Sequence, residues 1–434
     1  PFGYMKTDKR FVAEFKNGKW NAGKLVSDDT VSLSECAGVL QYAQTCFEGL
    51  KAYTAEDGRI VTFRPNLNAE RMERSCERLE MPVFPKEKFV EAVLAVVKAD
   101  AYGHGRAEVA RALAPAADYL GAAQLGEALA LREEVGPGPR ILTWIFAPGA
   151  PLAQALRADV ELSAGAFWAI DEIARAARET GTTAKVHLKV DTGMARGGFN
   201  LADVAEASRR FRALQADGLF SVVGLWSHLA RADEPESGTT ERQIERFEQA
   251  RAAARSEGIE PEILHLAASG GALWHPAARY DMVRPGIVLY GLSPNPEVAT
   301  ARELGLTPAM ELSASLILER GVPAQTPISY GHTEKTEAPT RLGVVPLGYG
   351  DGIPRAASGV GPVSVGGVRT RIRGRVCMDQ FVVDVPEAAT AGDTAFLFGA
   401  GDLPSADEWA QACGTIGYEI VTRLGARVPR RYHG

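Results

Sequence analysis

The sequence predicts an α/β barrel followed by a mostly β domain, on three observations. Between residues 94 and 295, short apolar runs alternate with amphipathic helical stretches, the rhythm of a parallel βα sheet. Eight such runs can be counted, the number that closes a (β/α)8 barrel of the TIM type. From residue 296 onward, helical spacing gives way to alternating stretches rich in Val and Thr, broken by turn glycines. Residues 1–93 differ in composition and read as an α+β segment. The expected units are therefore 1–93, 94–295 and 296–434.

Composition removes several classes of function. The formal charge is −6, with no basic run and no arginine stripe interleaved with aromatics, so a nucleic-acid partner is not expected. No apolar stretch approaches a membrane span and no signal peptide is visible, so no membrane partner is expected. The five cysteines are scattered and none has CxxC spacing, which fits reduced thiols in a cytoplasmic setting and no metal site.

Taken in order, the elements place the chemistry. Pro85–Val97 carries Phe89, Val93, Val96 and Val97 at helical spacing after a proline, so a helix is expected to end near Leu94. The first strand, Ala95–Lys98, ends in a lysine followed by a Gly-rich turn into the helical pattern Arg106–Leu113. An amine at a strand's C-terminal end, partly desolvated, has its pKa pushed down and can attack a carbonyl. Strands follow at Tyr119–Gln124, Arg140–Phe146 and Val160–Ala164. The fifth, Lys185–Val190, runs into Asp191-Thr-Gly193-Met-Ala-Arg196, and an arginine beyond a glycine turn can reach back over the barrel mouth. The sixth, Ser221–His228, ends in a histidine that would ordinarily be a satisfied core residue. The seventh, Ile263–Ala267, leads to Ser269. The eighth, Met282–Tyr290, contains Arg284-Pro-Gly286-Ile287, whose backbone N–H groups could approach a phosphate. Barrels of this type commonly bind phosphate beyond strands seven and eight.

The string Ala95-Val-Val-Lys98-Ala-Asp-Ala-Tyr102-Gly-His-Gly105 closely resembles the pyridoxal-phosphate lysine motif of the alanine racemases. The fifth, sixth and eighth strand ends resemble that family in order. So do Ser329-Tyr330-Gly331, Pro346-Leu-Gly-Tyr349-Gly-Asp-Gly352 and Gly374-Arg-Val-Cys-Met378-Asp379, and the likeness spans Leu94 to Gly434. It implies a fold-type III enzyme that uses pyridoxal 5′-phosphate to interconvert L- and D-alanine, supplying D-alanine for peptidoglycan. By the same resemblance Lys98 carries the cofactor and acts as one base, and Tyr330 is the second. Tyr102, Ser269, Gly286, Ile287 and Tyr349 would bind the cofactor. Arg196 would contact its phenolic oxygen and the substrate carboxylate, and the Met378 backbone would also meet that carboxylate, with Asp379 behind it. Arg284 would face the pyridine nitrogen with His228 as its partner. Lys189 matches a position that is carbamylated in some members and orients the arginine; alternatively it pairs plainly with Asp191. The family commonly has Asn before the serine, where this chain has Ala268.

Two bases are what inversion requires: one removes the α-proton from one face and the other returns a proton to the opposite face. A phenol serves as a base near neutral pH only with positive charge nearby. An arginine at the ring nitrogen disfavours its protonation, which weakens the ring as an electron sink and suits a reaction needing only brief carbanion character. In the family, Tyr330 and Met378 would come from the partner subunit, so a homodimer is implied.

The front differs. Eight of the lysines precede Val93, and after it only Lys98, Lys185, Lys189 and Lys335 remain. Tyr42-Ala-Gln-Thr-Cys-Phe47-Glu-Gly49-Leu-Lys51-Ala-Tyr53 and Phe63-Arg64-Pro-Asn-Leu-Asn68-Ala-Glu-Arg71-Met72 resemble the small domain of branched-chain amino acid aminotransferases. The whole thus resembles a chimera. That family's cofactor lysine lies in a second domain with no counterpart here, so the front is not expected to transaminate, and Lys51 and Arg64 are expected to be ordinary surface charges. Two rivals remain: an aminotransferase, which would form pyruvate from alanine with a 2-oxo acid, and a non-catalytic cofactor-binding barrel, which would exchange no α-proton.

Overall fold

The computed structural model of the chain describes residues 92–433, preceded by three short antiparallel ribbons: Arg10–Val12 with Lys24–Val26, Phe15–Lys16 with Lys19–Trp20, and Ala52–Thr54 with Ile60–Thr62. The motifs around Phe47 and Arg64, Lys51, and the start of the helix expected from Pro85 lie outside the described residues. Where that helix was expected to end, the backbone is already a strand.

Eight parallel strands form the first sheet: β1 (Ala92–Val96), β2 (Tyr119–Gln124), β3 (Arg140–Ile145), β4 (Val160–Ala164), β5 (Ala184–Lys189), β6 (Phe220–Trp226), β7 (Ile263–His265) and β8 (Met282–Val283). They pair in sequence from β1 to β7, and β8 pairs with β1. The seam between β7 and β8 is closed by Asp281 N–H to Leu264 O at 3.1 Å and Arg284 N–H to Ala267 O at 2.9 Å. The result is the predicted barrel. Helices cover it: α1 (Arg106–Leu113), α2 (Leu125–Val135), α3 (Leu152–Arg157), α4 (Phe167–Thr180), α5 (Val204–Ala216), α6 (Thr239–Ser256) and α7 (Ser269–Trp274). In α4, Ala169, Ile170, Ile173, Ala174 and Ala177 are buried, a stripe at three- and four-residue spacing, and Gly181 ends the helix in the left-handed region.

β2 and β4 have the expected bounds, β3, β5, β6 and β7 shift by one or two residues at one or both ends, and β1 and β8 differ more. β1 ends at Val96, two residues short of Lys98, because the chain then enters a left-handed turn in which Ala99, Asp100, Ala101 and Tyr102 all have φ of 53–54°. Such a turn costs roughly 1–2 kcal/mol per non-glycine residue. It is held by Ala101 N–H to Val97 O, Gly103 N–H to Ala99 O and Gly105 N–H to Asp100 O, and by Ala99 N–H to Glu127 Oε1 at 2.7 Å. β8 stops at Val283; the ladder ends near Pro285, which has no N–H, and Ile287–Tyr290 form a 3-10 turn instead of strand.

The second domain is an antiparallel sheet of β9 (Leu312–Ser315), β10 (Leu318–Val322), β11 (Thr340–Val345), β12 (Pro362–Val365), β13 (Val368–Arg373), β14 (Phe381–Asp384) and β15 (Thr394–Phe398), in the order β9-β15-β12-β13-β14-β11-β10. α8 (Ala406–Cys413) and α9 (Gly417–Thr422) return the chain to the barrel. Beyond them Arg430 donates to Gly103 O at 2.8 Å and the Tyr432 hydroxyl to His104 O at 3.1 Å, tying the C-terminal segment to the strained turn after Lys98. Among the described residues no helix is long and apolar enough to cross a membrane.

One glycine is dictated by the barrel interior. β5 and β6 slip register between Val186 and His187, and Gly224 then faces His187. A Cβ on Gly224 would sit 2.1 Å from His187 Nδ1. Gly224→Ala is therefore expected to destabilise the fold by about 1–3 kcal/mol, the range for overpacking a filled core. Urea unfolding measures this, and an unchanged midpoint would show that the imidazole can step aside.

Candidate active site

A cavity of about 970 Å³ opens at the C-terminal ends of the barrel strands, where this architecture places chemistry. The left-handed turn delivers both of its end residues, Lys98 and Tyr102, to the cavity wall. Lys98 Nζ stands 5.8 Å from the Tyr102 ring centroid. Burial and the neighbouring Arg196 pull the Lys98 amine below its ordinary pKa; Glu127 opposes this and Arg284 adds to it. Strain of this kind, concentrated beside a desolvated amine, marks functional sites.

The loop after β5 brings Arg196 to the cavity, with Lys189 at the strand end beneath it. Asp191 is not the partner of Lys189. Its Oδ1 accepts the N–H groups of Gly193, Met194 and Ala195 at 2.8, 2.9 and 3.2 Å, which caps the loop. Lys189 Nζ instead lies 4.6 Å from the Trp226 ring centroid. Burial, then Arg196 and Arg284, bring Lys189 down to about 8. The sign of the linked stability follows from that direction. Between about 8 and the ordinary lysine value of 10.5, the unfolded chain holds a proton the folded chain has released, so stability rises with pH across this window. Lys189→Met is expected to flatten that rise. Urea midpoints at pH 8 and pH 10 for parent and variant test it; equal slopes would count against the shift.

Arg284, buried at the end of β8, donates to Ser227 O at 2.9 Å and Leu266 O at 3.0 Å. Its Nη2 lies 3.3 Å from His228 Nδ1 and its Nη1 lies 3.3 Å from His265 Nδ1. Burial lowers Arg284 to about 9, which leaves it a cation at neutral pH. His228 is held well below its usual pKa by burial and then by the Arg284 charge, so it is neutral and accepts from the guanidinium. His228 thus has the predicted neighbour; His265, whose ring stacks at 5° on Trp226, is a second one with no distinguishing signal in the sequence.

At the far side of the cavity Ser269, Gly286, Ile287 and Tyr102 converge. Gly286 N–H donates to Ser269 Oγ at 2.9 Å, which leaves the serine hydroxyl hydrogen to be given to a ligand. A Cβ at Gly286 would stand 2.2 Å from the Tyr102 hydroxyl, so only glycine permits this cradle. Ala268, where the family commonly has Asn, is held through its backbone by a parallel bridge to Arg284.

Tyr349 is not part of this arrangement. It is 45% exposed and outside the cavity lining, because its turn is tied to the Cys377 and Met378 carbonyls by the N–H groups of Tyr349 and Gly350. The second-domain tyrosine that reaches the cavity is Tyr418, on α9, 6.1 Å between ring centroids from Tyr102. Its sequence signal is weak: a tyrosine after Gly417, among the apolar residues Ile416, Ile420 and Val421. Tyr330 and Met378 also stand outside, 71% and 54% exposed, and the exposed Asp379 pairs with Arg427 at 2.9 Å. Tyr330 follows Ser329, whose φ of 57° is in the left-handed region and whose hydroxyl donates to Arg375 O at 2.7 Å. A Cβ on Gly331 would meet Arg375 Nη1 at 2.9 Å, so this cation lies close beside the tyrosine's turn.

The cavity thus holds two lysines and two arginines around a hydroxyl cradle, a field suited to anions. The donor set fits pyridoxal phosphate: a hydroxyl and backbone cradle for the phosphate, a depressed amine for the aldehyde, and a buried guanidinium for the ring nitrogen. Two family models match the chain, "Alanine racemase, N-terminal domain" over residues 81–294 and "Alanine racemase, C-terminal domain" over residues 309–432. The chain belongs to the alanine racemase family. It is 55% identical to an alanine racemase of Beutenbergia cavernae over 347 residues, 79% of this chain and 91% of that protein. It is 52% identical to one from Frankia casuarinae over 345 residues, 79% of this chain and 90% of that protein. The alanine racemase of Streptomyces lavendulae superposes with a TM-score of 0.77 at 47% identity, covering 79% of this chain and 91% of that one. The biosynthetic alanine racemase of Pseudomonas aeruginosa gives 0.70 at 37%, covering 85% and 97%. The alanine racemases are pyridoxal-phosphate enzymes, and neither family model reaches residues 1–80.

Proposed function

We infer that this chain is a pyridoxal-phosphate-dependent isomerase that interconverts L- and D-alanine. The observation that carries this reading is the depressed Lys98 amine in one cavity with the Ser269–Gly286 cradle and the buried Arg284 cation. Bound there, the cofactor supplies an electron sink that acidifies the substrate Cα–H. Ser269, Tyr102, Tyr418 and the Gly286–Ile287 backbone would hold its phosphate. Arg284 would face its ring nitrogen, and Arg196 would orient the substrate carboxylate. Lys98, its pKa lowered by burial and by the Arg196 cation, would hold and release a proton at Nζ more readily than an ordinary lysine. Tyr330 and Met378 would complete the cavity of a second copy in a homodimer, a reading supported by their exposure on the second domain and by the strained Ser329 beside Tyr330. Within this reading residues 94–295 and 296–434 act as barrel and capping domain, the enzyme is cytoplasmic, and the aminotransferase-like reading of residues 1–93 rests on its sequence motifs alone.

The test is solvent deuterium exchange at Cα of L-alanine with pyridoxal phosphate added, alongside D-alanine formation. Exchange with D-alanine formed supports the isomerase. Exchange with retention points to one base acting alone. Pyruvate formed in the presence of a 2-oxo acid would favour the aminotransferase instead.

A further inference from the structure

Barrel interiors of this type are normally filled by branched apolar side chains. Here a continuous polar chain crosses the interior. Arg140, at the start of β3, donates Nε–H to Glu161 Oε1 at 2.6 Å. Glu161 Oε2 lies 2.9 Å from His187 Nε2, and His187 Nδ1 lies 3.0 Å from His265 Nε2. His265 Nδ1 then meets Arg284 Nη1 at the cavity. Glu161, His187, His265 and Arg284 are all buried. Burying ionisable groups is costly unless each is paired, and each of these is.

Hydrogen-bond chemistry leaves one arrangement of protons. A carboxylate only accepts and a guanidinium only donates. Glu161 accepts from both sides, so His187 carries its proton on Nε2. Burial holds His187 neutral against the pull of Glu161, so its Nδ1 is bare and accepts from His265 Nε2–H. His265, also neutral through burial, turns a bare Nδ1 to Arg284. Reversing either ring would set His265 Nδ1–H against the Arg284 N–H, donor to donor. Gly224 provides the space for this pair of rings to cross.

We propose that Glu161, clamped by Arg140, is a positioning residue for Arg284: from the opposite end of the barrel it fixes which nitrogen of His187 and His265 carries the proton, and so holds the guanidinium in place at the cavity. Its effect on turnover rests on the racemase reading above; the direction of the protons does not.

Glu161→Gln keeps the shape and adds a donor. Arg140 claims the new amide's oxygen, which leaves the NH2 facing His187 and forces the opposite tautomer through both rings. Selective 15N-histidine labelling of the full chain with pyridoxal phosphate added reads these tautomers without turnover. The parent is expected to show Nε2–H at His187 and His265, and Glu161→Gln to show Nδ1–H at both. The variant should also show a shifted cofactor absorption band and about a tenfold loss of kcat at similar KM. Adding Arg140→Met lets the amide turn its oxygen to His187 and should restore both tautomers and rate, which simple damage to the fold would not do. Unchanged tautomers in Glu161→Gln would overturn the proposal, as would reversed tautomers with an unchanged band and rate. A parent chain with the expected tautomers but no racemisation would support the relay and defeat the racemase reading instead.

Discussion

Lys98→Ala is expected to abolish alanine racemisation, with a loss of about a thousandfold or more, while leaving the fold intact. Lys98 follows an apolar run that forms β1. The left-handed turn from Ala99 to Tyr102 holds the lysine at the cavity wall at a cost offset by its own backbone bonds and by tertiary contacts from Glu127, Arg430 and Tyr432. Its charge is disfavoured by burial and by Arg196, so removing the amine relieves an electrostatic cost in the folded state. Thermal stability should therefore stay level or rise slightly while activity disappears. Two measurements check this: D-alanine formation from L-alanine, and the absorption band of protein-bound pyridoxal phosphate, which should revert to that of free aldehyde. Residual racemisation within tenfold of the parent would mean that another amine, with Lys189 the nearest candidate, carries the cofactor.

The barrel was legible because its strands are short apolar runs separated by helical periodicity. The spans read for β2 and β4 are the observed ones, Tyr119–Gln124 and Val160–Ala164. The first strand was misplaced because the helical spacing of Phe89, Val93, Val96 and Val97 also suits a strand buried on both faces, and the observed β1 begins at Ala92. Nothing local announces the left-handed turn: Asp100 tolerates that region, but Ala99, Ala101 and Tyr102 around it do not favour it. The short eighth strand could have been read from Pro285. At the site, residues beside glycine turns were readable from sequence. The relay from Arg140 to Arg284 was not, because its members are scattered across five strands or strand ends and a buried histidine looks like core until its partners are seen. Tyr418 is not legible for a related reason: it follows Gly417 as many tyrosines follow a glycine, and only the packing of α9 against the barrel brings it to the cavity.

Tyr330→Phe carries the second large expectation. Tyr330 is 71% exposed, so loss of its hydroxyl should change stability by no more than about 0.5 kcal/mol. Interconversion should nevertheless fall by about a hundredfold to ten-thousandfold, the usual contribution of a positioned acid–base group. Deuterium exchange at Cα should persist for one enantiomer only, with retention, because Lys98 still serves one face. The exposed position makes a sharper test possible. If Tyr330 completes the cavity of a second copy, then in a mixed dimer of Lys98→Ala and Tyr330→Phe chains one cavity has both bases and the other has neither. Co-refolding the two inactive variants at equal amounts should then restore about a quarter of the parent activity, since half the dimers are mixed and each has one intact site. No recovery, with mixed dimers shown to form, would place both bases of each site on the same chain. In that case Tyr330 would have to fold inward from where it stands, and the strained turn at Ser329 would be the element that moves.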